Sequence, residues 1–411
     1  MRFFNERAVP GLGNVWFGRQ VVLALFGVRL AEEARKVGRR CTNIAAANAV
    51  EALAVWLTLQ NNGWSRNERL PGFLKLQRHR GKEPPSFKEA SSTAFYVTQP
   101  MRIGTGDALV TLGLVSATSS RFNSYTVTDR GQALLDLTCE GSRRALQSWA
   151  AGDHLTTRRR PIAEQLDPTR PLPDGARELL RNAFLAGDDF ERARRRQALA
   201  FVEAIRVRAG GHVAWDMRPP EIEDAEHWAD MRAGAALSAV VEAAAGEGEG
   251  GSVLGRIEAH MGAAGLRKLA LHEAADSNRD AALRAALDHL RAQAQSFLSA
   301  HHDPSPGQAA TRFCADCAEA DAETVVARLV ARDGRILRLV DGFVLAGSAF
   351  RGQPVREQDP DDLAEAPPEE GPDEPPEEAV PALPAAISRR IRNLAALAPD
   401  LHAAPAGTTG A

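Results

Sequence analysis

A chain of 411 residues with 44% hydrophobic and 25% charged residues has the make-up of a soluble globular protein of two or three domains. Four cysteines exclude a disulfide framework, and the most apolar early run, Val21 to Val28, falls far short of the roughly 20 residues that span a bilayer. The net charge of −3 hides an asymmetry: residues 1–160 hold 23 Lys+Arg against 12 Asp+Glu, a net of +11, while the rest holds 27 against 41, a net of −14.

Glu6 and Arg7 stand where a signal peptide needs an apolar core, so the expectation is a cytoplasmic protein with no membrane partner. With aromatics at 6% and Ala abundant, helix is favoured over sheet. The predicted fold class is mainly α with small β-hairpins. A helical N-terminal segment with a basic loop fills 1–85, and a separate small domain fills 86–140. A helical domain ending in a hairpin fills 141–350, and a disordered acidic Pro-rich tail fills 351–411.

In chain order, Val21, Leu25, Val28 and Ala31 recur at helical spacing. Thr42 offers a cap for a second helix carrying Ile44, Ala47, Val50, Leu53 and Leu57, which Asn61-Asn62-Gly63 ends. These two helices read as scaffold or as a dimer surface, which leaves an oligomer open. Residues 64–88 are basic (Arg66, Arg69, Lys75, Arg78, His79, Arg80, Lys82, Lys88) and broken by Pro and Gly. They suit a solvated loop or a phosphate contact, with Leu70, Phe73, Leu74 and Leu76 forming one buried turn.

Ser86 predicts a helix cap, with the helix running through Phe95. A turn at Thr98-Gln99-Pro100 leads to a second helix ending near Leu112, weakened by Gly104 and Gly106. Gly113 suits a left-handed exit. Val115 to Ala117 and Tyr125 to Val127 then read as paired strands around the polar tip Thr118-Ser119-Ser120-Arg121-Phe122-Asn123-Ser124. Thr128 caps the next helix, with Asp129 in its first turn and Leu134, Leu135 and Leu137 returning to the core.

This order, Leu-Gly-Leu-Val, a hairpin, then Tyr-Thr-Val-Thr-Asp-Arg-Gly-Gln-Ala-Leu-Leu, resembles the winged helix-turn-helix superfamily of bacterial regulators over about residues 86–140. The resemblance implies a helix laid in a major groove, presenting Gln99, Arg102 and Thr105, and a wing presenting Arg121 and Asn123. It implies a DNA-binding transcriptional regulator, or the DNA-engaging subunit of a bacterial antiviral defence-type system, with duplex DNA as partner. The alternative is a protein-interaction adaptor or scaffold in which the winged fold, the helical region or the acidic tail docks other proteins.

Further along, helices are expected around Leu179 to Phe184, over Phe190 to Val207, and as two or three Ala-rich helices in 221–300 broken at Gly246 to Gly251. Asp341-Gly342 between Arg335–Val340 and Phe343–Leu345 marks a hairpin, either a ribbon on the helices or part of a second winged helix. In the tail, Ile387, Ile391, Leu394 and Leu397 suggest one or two amphipathic turns that dock a partner, or an inert end.

Cys314-Ala315-Asp316-Cys317 with His301 and His302 upstream permits a zinc site to be written down, though two reduced cysteines fit as well. The acidic cluster Glu221, Glu223, Asp224, Glu226 and Asp230 near His227 reads as a helix start. No Walker-type loop, Gly-x-Ser-x-Gly or His-Glu-x-x-His is present, so no catalytic residue, cofactor or assigned metal is expected.

Overall fold

The computed structural model describes residues 1–155, 159–207, 214–246, 251–276, 278, 280–351, 375, 380 and 382–402. The fold is mainly helical with small antiparallel hairpins. It divides into two compact units that do not follow the four segments expected: Met1–Arg7, Asp224–Ala366 and Pro384–Ser388 form one, and Ala8–Glu223, Pro367–Leu383 and Arg389–Ala411 form the other.

The larger unit is built around α2 (Gly18–Lys36) and α3 (Asn43–Asn61). The expected cap holds: the Thr42 hydroxyl accepts the Ala45 N–H at 3.1 Å. Rather than presenting one apolar stripe, both helices are buried on most faces, α3 because it is apolar nearly all round and α2 as far as Ala31, before its charged end. A Cβ on Gly27 would overlap Ala47, so the glycine sets how closely the pair packs. The basic stretch then folds over this core as α4 (Phe73–Gln77) and α5 (Phe87–Ala90), seating Leu70 and Leu76. Ser86 caps α5, but the helix stops after one turn instead of reaching Phe95. There Ser91 and Ser92 turn to local hydrogen bonds, which compete with helix continuation.

Next come α6 (Met101–Thr111), the strands β1 (Val115–Ala117) and β2 (Tyr125–Val127), and α7 (Asp129–Ala150). The register pairs Val115 with Val127 and Ala117 with Tyr125. Gly113 is left-handed at φ 63°, and Thr128 caps α7 by accepting the Gly131 N–H at 3.1 Å. Gly104, expected only to weaken α6, permits close approach: its carbonyl accepts the Asn14 N–H at 2.8 Å, and a Cβ would lie 2.9 Å from Asn14. Leu137 is 46% exposed, not in the core, because α7 turns that face outward beyond Leu134 and Leu135. α7 runs unbroken through residue 140, and α2 packs on both α6 and α7, so 86–140 is not a separate domain. The unit continues with α8 (Arg159–Leu166), α9 (Asp174–Phe184) and α10 (Asp189–Val207).

The second unit contains α1 (Arg2–Ala8, of which 2–7 belong here), α11 (Ala225–Ala245) and α12 (Val253–Ala263). Then come β3 (Lys268–Ala270), α13 (Leu271–Ala274), α14 (Ala281–Ser299), α15 (Ala309–Cys317) and α16 (Ala322–Asp333). The expected hairpin is β4 (Leu337–Val340) and β5 (Phe343–Ala346), with Asp341 and Gly342 both at positive φ, as a two-residue primed turn requires. β3 joins it, giving the order β3-β5-β4. The ribbon lies on the unit's helices, with Leu337 and Val344 in their core. The acidic cluster is a helix start: Asp224 caps α11 by accepting the Glu226 N–H at 2.8 Å.

The C-terminal segment corrects the expectation of a disordered tail. Ile387 is buried, and α17 (Arg389–Leu397) is buried at Ile391, Leu394, Ala395 and Leu397. The Asp400 carboxylate accepts the Gly18 N–H at 2.8 Å, capping α2. Most of the acidic stretch, 352–383, and residues 403–411 lie outside the described residues, as do Glu247 to Gly250 of the expected glycine-rich break.

Candidate nucleic-acid interface

The wing is fixed to the start of α3. The Asn43 amide donates to the carbonyls of Phe122 (3.0 Å) and Tyr125 (2.9 Å), and the Asn123 side-chain oxygen accepts the Ile44 N–H at 3.0 Å. Glu32 accepts the Val127 N–H at 2.7 Å, so the outer edge of β2 is closed by α2. Through these bonds the hairpin is tied to the loop that joins α2 and α3.

That loop carries the charge. Arg35, Lys36, Arg39 and Arg40 are all exposed. Arg35 is spent on the Cys41 carbonyl and the Asn43 side chain, both at 3.0 Å. Among the described residues Lys36, Arg39, Arg40 and Arg121 have no ion-pair partner. In contrast, Arg29 and Arg143 are neutralised by Glu32 and Glu33, and hydrogen bonds from Gln147 and Arg143 hold the Glu33 carboxyl below its usual range against the opposing effect of burial. Arg35 and Lys36 share an open groove with Thr126 and Val127 of the wing. Lys36 and Arg39 also rim a second groove, of about 430 Å³, against the end of α7. At that same end the Trp149 indole donates to the Pro85 carbonyl at 3.0 Å and stacks edge-on against Phe87, which anchors the segment bearing exposed Arg78, Arg80, Lys82 and Lys88.

The five residues expected to touch DNA separate. Gln99 is exposed just before α6, and Arg121 is exposed at the wing tip. Thr105 is buried, with its hydroxyl on the Arg102 carbonyl, so it cannot meet a base. Arg102 is half-buried: its Nε donates to Asn48 at 2.6 Å, its guanidinium lies 6.0 Å from the Phe122 ring, and burial pulls its pKa below the usual value. Asn123 is exposed, but its acceptor is used in docking the wing. The outward face of α6 presents Ile103 (55% exposed), Asp107 and Val110 (42%), with no cation among them.

Sequence reasoning passed over Lys36, Arg39 and Arg40. The signal was there: Arg35-Lys36-Val37-Gly38-Arg39-Arg40 is a short basic run of the kind that marks nucleic-acid patches. The two cysteines of the Cys-x-x-Cys stand as free thiols. Cys314 and Cys317 are wholly buried on α15, burial pushes both thiols up to about 12, and His302 is bonded to Asp230 at 2.8 Å. No cluster able to hold a metal occurs among the described residues, and none of their helices is long and apolar enough to cross a membrane. Comparison with known protein families, curated proteins and solved structures returns no match.

Proposed function

We propose that this protein binds duplex DNA without acting on it, in the cytoplasm, through the wing and the α2–α3 loop. The observation that carries the reading is the juxtaposition of unpaired cations, Lys36, Arg39, Arg40 and Arg121, with a Ser/Thr-rich tip tied to the same helix start. Such groups contact phosphate oxygens, which supply affinity and register rather than base readout. With Thr105 buried and an apolar, acidic face on α6, major-groove reading by that helix forms no part of the reading.

The test is fluorescence anisotropy on a duplex of about 30 base pairs between about 50 and 200 mM salt. Replacing Lys36, Arg39, Arg40 and Arg121 together by Glu is expected to weaken binding by at least about tenfold at low salt and to flatten the salt slope by roughly 0.9 per lost phosphate contact. No binding by the unaltered chain at low salt, or equal binding by the variant, refutes the reading.

A second reading, a protein-docking adaptor, rests on Ile103 and Val110. Both stand exposed one helical face apart from the core on a helix whose other side is packed. It predicts that Ile103→Asp with Val110→Asp removes a protein partner while leaving DNA binding intact.

A further inference from the structure

In the unit that contains the three-stranded sheet, α12, β3, α13 and the start of α14 wall a cavity of about 850 Å³. That is within the size range of ligand sites. One wall is β3, an edge strand. Its register decides which backbone groups it has left over. Ala346 donates to the Arg267 carbonyl and Leu271 to the Gly342 carbonyl, both at 3.0 Å, and Leu269 stands opposite Val344. Bonded and non-bonded pairs alternate along an antiparallel ladder, so Lys268 and Ala270 turn their N–H and C=O away from β5.

Glu273 accepts the Ala270 N–H at 3.4 Å. The Ala270 C=O, at the N-cap of α13, accepts the first bond of that helix, which leaves the Lys268 N–H and C=O without a partner among the described residues, and both residues line the cavity. A strand edge offering an outward donor and acceptor on one residue is a starting point for pairing with another strand. Beside it lie Leu266, Leu283 and Phe343, an apolar surface for a side chain. Among the described residues the charged lining comprises three carboxylates, Glu273, Asp276 and Asp280, against two permanent cations, Arg256 and Lys268. The Lys268 ammonium already lies 3.7 Å from the centre of the Phe343 ring.

We infer that this cavity docks an extended peptide segment of a partner protein. The segment adds as a fourth strand beside β3, places an apolar side chain against Leu283 and Phe343, and carries a basic residue toward the carboxylates. The paired main-chain bonds to the Lys268 N–H and C=O give affinity, and the cavity gives selectivity. A small polar ligand would leave the strand edge unused. The inference stands apart from the DNA reading, because it uses different residues and a different readout.

The experiment selects peptides from a random heptapeptide library against the full chain and measures one synthetic winner by fluorescence anisotropy. Lys268→Pro removes the outward N–H at an edge position where β5 loses no bond, so the sheet tolerates it. Lys268→Ala removes the side chain and keeps the N–H. Ala281→Arg, at an exposed position of the cavity lining, fills the mouth and carries the test if the proline variant unfolds. Expected is an enriched peptide with an apolar and a basic residue, bound about tenfold more weakly by Lys268→Pro and Ala281→Arg but nearly unchanged by Lys268→Ala. Failure to enrich any peptide, or binding indifferent to Ala281→Arg, overturns the inference. So does displacement of the winner by a peptide of residues 352–383, which would assign the groove to the protein's own chain.

Discussion

The Glu51 carboxylate accepts the Met101 N–H at 2.8 Å, so a side chain in the middle of α3 caps α6 across 50 residues of sequence. Pro100, the residue at the cap position, has no side-chain acceptor to do this. Full burial pushes the Glu51 carboxyl up to about 7, against the lowering effect of the bonds from Met101, Tyr96 and Arg102.

That raised value fixes a pH dependence. Between about 4.5 and about 7 the folded chain keeps a proton on Glu51 that the unfolded chain has released. Stability from this site is therefore full below 4.5, falls as pH rises through that window, and stays lost above it, by on the order of 3 kcal/mol. Glu51→Gln keeps an acceptor for Met101 and cannot ionise. Denaturant melts of the two chains from about pH 5 to pH 8 should diverge, with the glutamine variant losing less stability. Parallel curves would show that the carboxyl titrates normally.

Asn43 ties the wing tip through two carbonyls. Asn43→Ala should cost about 1–2 kcal/mol and speed amide exchange in β1 and β2 more than in α7, since the hairpin loses its anchor while α7 keeps its own cap. Exchange that rises equally throughout the unit would place the anchor elsewhere.

Removing the last turns is expected to cost more than a tail should. Ile391, Leu394, Leu397 and Leu401 are buried, each contributing about 1.5–3 kcal/mol of burial, and Asp400 caps α2. A chain ending at residue 383 should melt well below the full one. Unchanged melting would make the docking of α17 energetically idle.

The elements that the sequence made legible are those with local causes. Thr42, Thr128 and Asp341-Gly342 act on neighbours within four residues, and the strands at 115–117 and 125–127 lie beside such signals. What stayed hidden depends on distant partners. Glu51 looks like one charge in an apolar helix until Met101 is set against it. Lys268-Leu269-Ala270 has no strand signal of its own and becomes one by pairing with β5. The acidic composition of 351–411 averages over Ile391 to Leu401 and conceals a buried helix. In the candidate interface, position in a motif selected Thr105 and Arg102, while burial shifted the available charge to Lys36, Arg39 and Arg40.

Thiol chemistry separates the four cysteines. Cys139 is buried, with its thiol pushed up to about 11, and Cys314 and Cys317 reach about 12. Cys41 is half exposed, and burial raises it as well, opposed by Arg35. The thiolate is the reacting form, so a disulfide reagent at about pH 8 should modify Cys41 slowly and leave the other three untouched until denaturant is added. Cys41→Ser should then abolish native-state labelling. Rapid native labelling of Cys314 or Cys317, or its suppression by added zinc, would mean that α15 opens and that the pair is available to a metal after all.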